Sequence, residues 1–264
     1  MQFSNKQVLI VEDQRPFLLL LKGLMHSMGV SDVVTKSSAE QAVSLCKKHK
    51  FDIIICDLHL GADNKNGYEL IEELRTGSLI SPTTVFILIS ADSARPIVLG
   101  SIERRPDDFL IKPFSQVQLK SRIVRAFQKR EFLKEAYTLI NKGELNSAID
   151  HIEALLDAPS HYKGHCEQLL VELYWRIEQP QKALDVLNSY IDGKPVLWAQ
   201  VAIGKTYLQL KDYEKAISVA KKTLKRNRFN ADAHDILAQA YQAITSGEKA
   251  VEAIKEAIKL SPYS

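Results

Sequence analysis

Five positions in the first half of the chain carry groups suited to one kind of chemistry: the acidic pair Glu12-Asp13, then Asp57, Ser90 and Lys112. Each stands where a short apolar run gives way to polar residues: Gln7–Val11, Phe51–Cys56, Val85–Ile89 and Asp108–Ile111. Three carboxylates brought close repel one another unless a hard cation lies between them. Magnesium suits such a set, because it takes oxygen ligands, keeps several waters and relies on one or two carboxylates. An ammonium and a hydroxyl alongside are suited to holding phosphoryl oxygens. The combination makes Asp57 a carboxylate nucleophile for phosphoryl transfer, with Mg²⁺ and Lys112 offsetting charge on the transferred group.

A sheet is needed to bring these residues together. The apolar runs lack polar alternation, as parallel strands covered on both faces do. Between the first two, Gln14 to Met28 carries a helical pattern in Phe17, Leu20, Leu21, Leu24 and Met28. Pro16 falls in its first turn, where a missing N–H does no harm, and Gly29 closes it. Val33-Val34 is a short strand, and Ser37 or Ser38 can cap the helix that follows. Further helices are expected at about Tyr68 to Arg75, less regularly at Ser93 to Arg104, and after Phe114. Strand and helix alternate five times, which predicts an α/β doubly wound, five-stranded parallel sheet of flavodoxin-like type. In such a sheet the carboxyl ends of the strands meet at the switch point, where ligands bind.

Residues 6 to about 128 resemble a response-regulator receiver domain. The matching positions are Glu12-Asp13, Asp57, Ser90-Ala91 and Lys112-Pro113, with Phe109 at the family's aromatic switch position. The resemblance implies that Asp57 accepts phosphate from a sensor histidine kinase or a histidine phosphotransfer protein. It implies direct Mg²⁺ ligation by Asp13, Asp57 and the backbone carbonyl of His59, with Glu12 acting through water. Ser90 and Lys112 would contact phosphoryl oxygens, and Ser90 would draw Phe109 inward. The family often has Lys112–Pro113 in the cis form. Two departures stand beside the site: Gly61 where the family usually has proline, and a longer loop, in which Asp63-Asn-Lys-Asn66 reads as a two-residue insertion.

The whole chain has 264 residues, 45% hydrophobic and 25% charged, with a net charge of +3. Basic and acidic residues nearly balance in each half, so the usual electrostatic footprint of nucleic-acid binding is missing. Cys46, Cys56 and Cys166 form no C-x-x-C pair and sit among apolar residues, as buried thiols of a reducing compartment do. No apolar run is long enough to span a bilayer, and the first strand begins too early for a signal peptide. These features predict a cytoplasmic protein with no membrane association.

From Ser115 to Lys142 there is neither Gly nor Pro, so one helix is expected to continue into, or abut, the next with no flexible spacer. Beyond it Ala148, Ala183, Ala216 and Ala250 recur at intervals of 35, 33 and 34, each before an Ile, Leu or Val. That period is the tetratricopeptide spacing of two antiparallel helices per repeat. Leu139, Tyr174, Tyr207 and Tyr241 each lie nine before their alanine, and Gly204 and Ala238 twelve before theirs. Pro195 and Pro262 would end second helices. The resemblance to tetratricopeptide repeats predicts a receiver over 1–128 and an all-α solenoid of about four repeats over 129–264. Such solenoids bind peptides or helices in a concave groove, here expected to present Trp175, Arg176, Trp198, Lys205 and Gln209. The chain stops at Leu260-Ser-Pro-Tyr-Ser264 without an extra polar helix, which suggests a longer natural chain or a homodimer covering that face. A metal site at His161, His165 and Cys166 lacks a fourth ligand, and the basic run Lys221, Lys222, Lys225, Arg226 and Arg228 reads as a solvated helix face.

The sequence therefore points to a phosphoacceptor signalling protein of the two-component or phosphorelay type. Its only expected chemistry is Mg²⁺-dependent self-phosphorylation and dephosphorylation of Asp57, and its output is protein binding that regulates a kinase, a sibling regulator or an effector. The alternative is a phosphorylation-independent scaffold whose receiver only docks on a kinase or dimerises.

Overall fold

A computed structural model of the chain describes residues 3–61, 65–91, 105–191, 196–228 and 230–244, together with 247, 251, 254 and 255. The expected helix at Ser93 to Arg104 lies outside these residues. So do Asp63 and Asn64 of the insertion, Pro195, Ala250, Pro262 and the terminal Leu260–Ser264. By internal contacts the chain forms two compact units, which part after Glu144.

The first unit is built on strands β1 (Gln7–Val11), β2 (Asp32–Lys36), β3 (Ile53–Asp57), β4 (Val85–Ser90) and β5 (Asp108–Ile111). They lie in the order β2-β1-β3-β4-β5, all neighbours parallel. Residues of β3 and β4 are buried throughout, as the unbroken apolar runs require. Alternate residues feed two cores. Leu9, Val11, Ile54, Cys56, Phe86, Leu88 and Phe109 pack under α2 (Ala39–Cys46) and α3 (Gly67–Thr76). Val8, Ile10, Ile53, Ile55, Ile87, Ile89 and Leu110 pack against α1 (Arg15–Ser27) and α4 (Gln116–Phe132). Reversal of the winding between β1 and β3 opens the crevice at their carboxyl ends.

Local signals set the helix ends. Pro16 stands in the first turn of α1, and Gly29, at φ 94, turns the chain out of it. Ser38, rather than Ser37, caps α2 by accepting from the Gln41 N–H. Asn66 caps α3 in a full capping box with Glu69, and Ser115 pairs with Gln118 in the same way on α4. At the opposite end of the sheet from the crevice, the buried Asp107 accepts from Arg130 at 2.7 Å and from the Phe86 N–H at 3.0 Å. Arg75 and Lys129 lie 3.6 Å away. Burial alone would raise the Asp107 carboxyl, but Arg130, Lys129 and Arg75 together hold it below the ordinary aspartate value. Arg130 also donates to the Pro82 carbonyl and lies 4.6 Å from the Tyr137 ring. It thereby fastens the end of α4, and the start of α5 (Lys134–Lys142), to the base of the sheet. Helix α4 abuts α5 through Leu133 alone. The boundary expected at 128/129 falls inside α4, and the contact-defined units part after Glu144.

The second unit contains α6 (Leu145–Leu156), α7 (Lys163–Arg176), α8 (Pro180–Ile191), α9 (Leu197–Gln209), α10 (Tyr213–Arg226) and α11 (Ala231–Ala243). Successive helices pack on one another. Ala148, Ala183 and Ala216 are fully buried, and Gly204 admits α11 so closely that an added Cβ would sit 2.9 Å from Ile236 Cδ1. A lysine preceding the alanine caps the tyrosine ring in two repeats, Lys182 over Tyr174 at 5.6 Å and Lys215 over Tyr207 at 5.3 Å. No helix among the described residues is long and apolar enough to cross a membrane. The three cysteines are buried and unpaired, and burial pushes Cys46 and Cys166 up to about 11.

Candidate functional site

The crevice is made by loops that the strands launch from adjacent positions. Val11 of β1 is paired with Cys56 of β3, so Glu12 and Asp57, each one residue on, emerge side by side. Asp57 is paired in turn with Ile89, the neighbour of Ser90, and Ser90 with Ile111, the neighbour of Lys112. Register alone therefore gathers the five positions singled out by residue type.

Lys112 is the centre of the hydrogen bonding. Its ammonium donates to Asp57 Oδ2 at 2.6 Å and to Glu12 Oε2 at 3.0 Å, with only 13% of its side chain exposed. The Gln14 N–H donates to the other Glu12 oxygen at 3.2 Å. Glu12 and Asp57 are buried and Asp13 is exposed, yet one carboxylate oxygen of each lies within 4.8 Å of the others. Burial pushes the Glu12 carboxyl up to about 7; the bond from Lys112 opposes that rise and the Asp57 charge adds to it. Three carboxylates facing one ammonium, all oxygen donors on the anionic side, fit a hard divalent cation.

Ser90 is fully buried at the end of β4, and the Lys112 N–H donates to its carbonyl at 2.7 Å. His59 is exposed, and its N–H approaches Asp57 Oδ1 only at 3.5 Å. Phe109 already lies inward, 8% exposed among Phe86, Leu88 and their neighbours. The Lys112–Pro113 bond is cis.

Two glycines explain the loop. Gly61 has φ 91, which proline, locked near −65°, cannot adopt. Gly67 lies so close to β3 and β4 that a Cβ would meet Leu88 Cδ2 at 2.5 Å and the Asp57 carbonyl at 2.7 Å. The lengthened loop rejoins the fold through Lys65, which pairs with Glu73 at 2.7 Å, and through the Asn66 cap. In the sequence Asn66 reads as the end of an insertion, but it caps a helix, and the N-x-x-E spacing to Glu69 is the signal for that.

The residues expected to line a groove in the repeats have internal partners in part. The Trp175 indole N–H donates to the Thr206 hydroxyl at 3.0 Å, and Lys205 pairs with Asp232 at 2.6 Å. Trp198 meets Tyr190 edge-on at 5.0 Å. Arg176 and Gln209 are exposed.

Comparison with known proteins fits this geometry. Residues 8–124 match the response regulator receiver domain, and residues 199–230 a tetratricopeptide repeat. The alkaline phosphatase synthesis transcriptional regulatory protein PhoP of Bacillus subtilis is 30% identical over 169 residues, which cover 64% of this chain and 67% of that protein. The transcriptional regulatory protein YvrH of the same organism is 30% identical over 129 residues, 49% of this chain and 52% of that one. A solved structure, the receiver domain of sensor histidine kinase PA1611 from Pseudomonas aeruginosa, is 22% identical with a TM-score of 0.40, covering 47% of this chain and 98% of that one. The chain belongs to the response-regulator receiver family. To its receiver is joined a helical region that carries a tetratricopeptide repeat.

Proposed function

We propose that Asp57 accepts a phosphoryl group from a phosphohistidine of a sensor kinase or phosphotransfer protein, and that the repeats pass the signal on by binding another protein. The observation that carries this reading is the single ammonium of Lys112 bonded to both Asp57 and Glu12. In the step itself an Asp57 carboxylate oxygen forms a bond to phosphorus while the phosphorus–nitrogen bond of the donor breaks. The electron pair leaves with the imidazole, whose other ring nitrogen already carries a proton, so the leaving group departs as neutral imidazole. Lys112 exchanges its bond to the bare carboxylate for one to an oxygen of the arriving group, and the Ser90 hydroxyl holds another. Asp13, Asp57 and the His59 carbonyl would hold Mg²⁺, with Glu12 acting through water; the ion would supply charge neutralisation at the phosphoryl oxygens. Phe109, packed against the strand that ends in Ser90, is the element whose position the new group biases.

The output side rests on the helical repeats, whose exposed Arg176 and Gln209, with Trp175, Trp198 and Lys205 beside them, form the proposed ligand face. Helix α4 supports transmission, since it contains neither Gly nor Pro and is pinned to the sheet by Arg130. The test uses the full chain with acetyl phosphate and Mg²⁺, followed by intact-mass analysis. One added phosphoryl group is expected in wild type, lost with a chelator or in Asp57→Ala. A mass gain that survives Asp57→Ala, or none at all, contradicts the reading and favours a scaffold that only docks.

A further inference from the structure

Lys112 has a third neighbour that the phosphoacceptor reading leaves unused. Its ammonium lies 4.0 Å from the centroid of the Phe17 ring in the first turns of α1. Phe114 meets Phe17 edge-to-face, with centroids 6.0 Å apart and planes at 87°. Both rings pack on the core that contains Leu21, Met25 and Leu119. The ring is therefore braced by the fold and is not a loose surface group.

We propose that Phe17 is a positioning residue for Lys112, holding its ammonium at the Asp57 carboxylate and so setting how fast Asp57 gains a phosphoryl group. This rests on reading Asp57 as the phosphoacceptor. A lysine stem has four flexible carbons and three rotatable donors, so two carboxylates alone do not fix where the charge sits. The face of an aromatic ring attracts a cation within about 6 Å of its centroid. Unlike a third carboxylate, it offers no strong acceptor to compete for the donors. The ammonium can then exchange Asp57 for an incoming phosphoryl oxygen without leaving its place. A ring on one side also keeps water from that side, which strengthens the attraction between the ammonium and the charge developing on the transferred group.

The test compares full-length wild type, Phe17→Leu and Phe17→Tyr, each also combined with Lys112→Ala, using phosphoramidate and Mg²⁺. Phe17→Leu is expected to slow phosphorylation of Asp57 by about three- to tenfold, and Phe17→Tyr, which keeps the ring, to recover most of that loss. In the Lys112→Ala background Phe17→Leu should change nothing further, because the pair acts as a unit. Independently of any metal or donor, NMR should show an upfield ring-current shift on the Lys112 methylene protons beside the ammonium, removed by Phe17→Leu. Should Phe17→Leu melt too early to assay, Phe17→Met, of similar volume without a ring, replaces it. Equal slowing with and without Lys112, or no ring-current shift, would mean that Phe17 only packs and would overturn the proposal. A wild type that gains no phosphoryl group overturns the phosphoacceptor reading as well; a labelled wild type with an unchanged Phe17→Leu overturns this proposal alone.

Discussion

Lys112 bridges two buried carboxylates that would otherwise repel each other, and its replacement should show what each is there for. Lys112→Ala should lower the rate of Asp57 phosphorylation by about 10²-fold, the usual loss when one donor to a developing anion is removed. Stopped-time quenching with acetyl phosphate measures it, and a loss under twofold would exclude Lys112 from the chemistry. Gly67 makes a second, steric demand. Gly67→Ala should destabilise the receiver by about 1–3 kcal/mol, because the new methyl meets the Asp57 carbonyl at 2.7 Å and backbone cannot move aside cheaply. Gly204→Ala should cost less, since the one short contact of its Cβ, at 2.9 Å, is with the tip of the Ile236 side chain rather than with backbone. Urea unfolding of the two variants ranks them. Glu12, Asp13, Asp57, Ser90 and Lys112 were legible in the sequence because each ends an apolar run, and the paired strands bring those ends together. Phe17 was not. Its spacing fits the buried stripe of a helix, and nothing in the chain says that a lysine ninety-five positions on will lie over its ring.

Among the elements, α4 owes its placement to ion pairing as well as to its apolar face. Asp107 is buried with Arg130, whose side chain is 2% exposed, so removing the carboxylate takes away the anion that a buried guanidinium bonds at 2.7 Å. Asp107→Asn should destabilise the receiver by about 3–5 kcal/mol near neutrality. The pH dependence follows from the depressed carboxyl. Its stabilisation is complete above the ordinary aspartate value of 3.8 and is lost as pH falls through its lower folded value, since the unfolded chain takes up the proton first. Melting curves from neutrality to about pH 3 should fall more steeply for wild type than for Asp107→Asn; parallel curves would remove Asp107 from the account. Asn66→Ala should cost about 1 kcal/mol through loss of the α3 cap. The strands and most helix ends were readable from apolar runs and from Ser, Pro and Gly signals. The Asp107 network was not, because its partners Arg75, Lys129 and Arg130 come from two distant helices and each looks like an ordinary surface charge in sequence.

For the molecule as a whole, one chain joins a receiver to helical repeats, and both halves declared themselves by different kinds of regularity. The receiver did so through five alternations of strand and helix, the repeats through alanines at a near-constant interval. Where one ends was harder to read: the expected boundary at 128/129 cuts α4, whose end Arg130 ties back to Asp107 and Pro82. Uniform helix-forming sequence from Ser115 to Lys142 hides that break, since the change at Leu133 involves neither Gly nor Pro. Everything proposed for signalling depends on an acyl phosphate forming at one carboxylate. The direct measurement is to treat the full chain with acetyl phosphate and Mg²⁺, reduce with borohydride, digest, and find which residue has become the alcohol. The account predicts homoserine at position 57 alone, and none after chelation. Reduction at another aspartate, or an unaltered Asp57 peptide from fully folded protein, would contradict it.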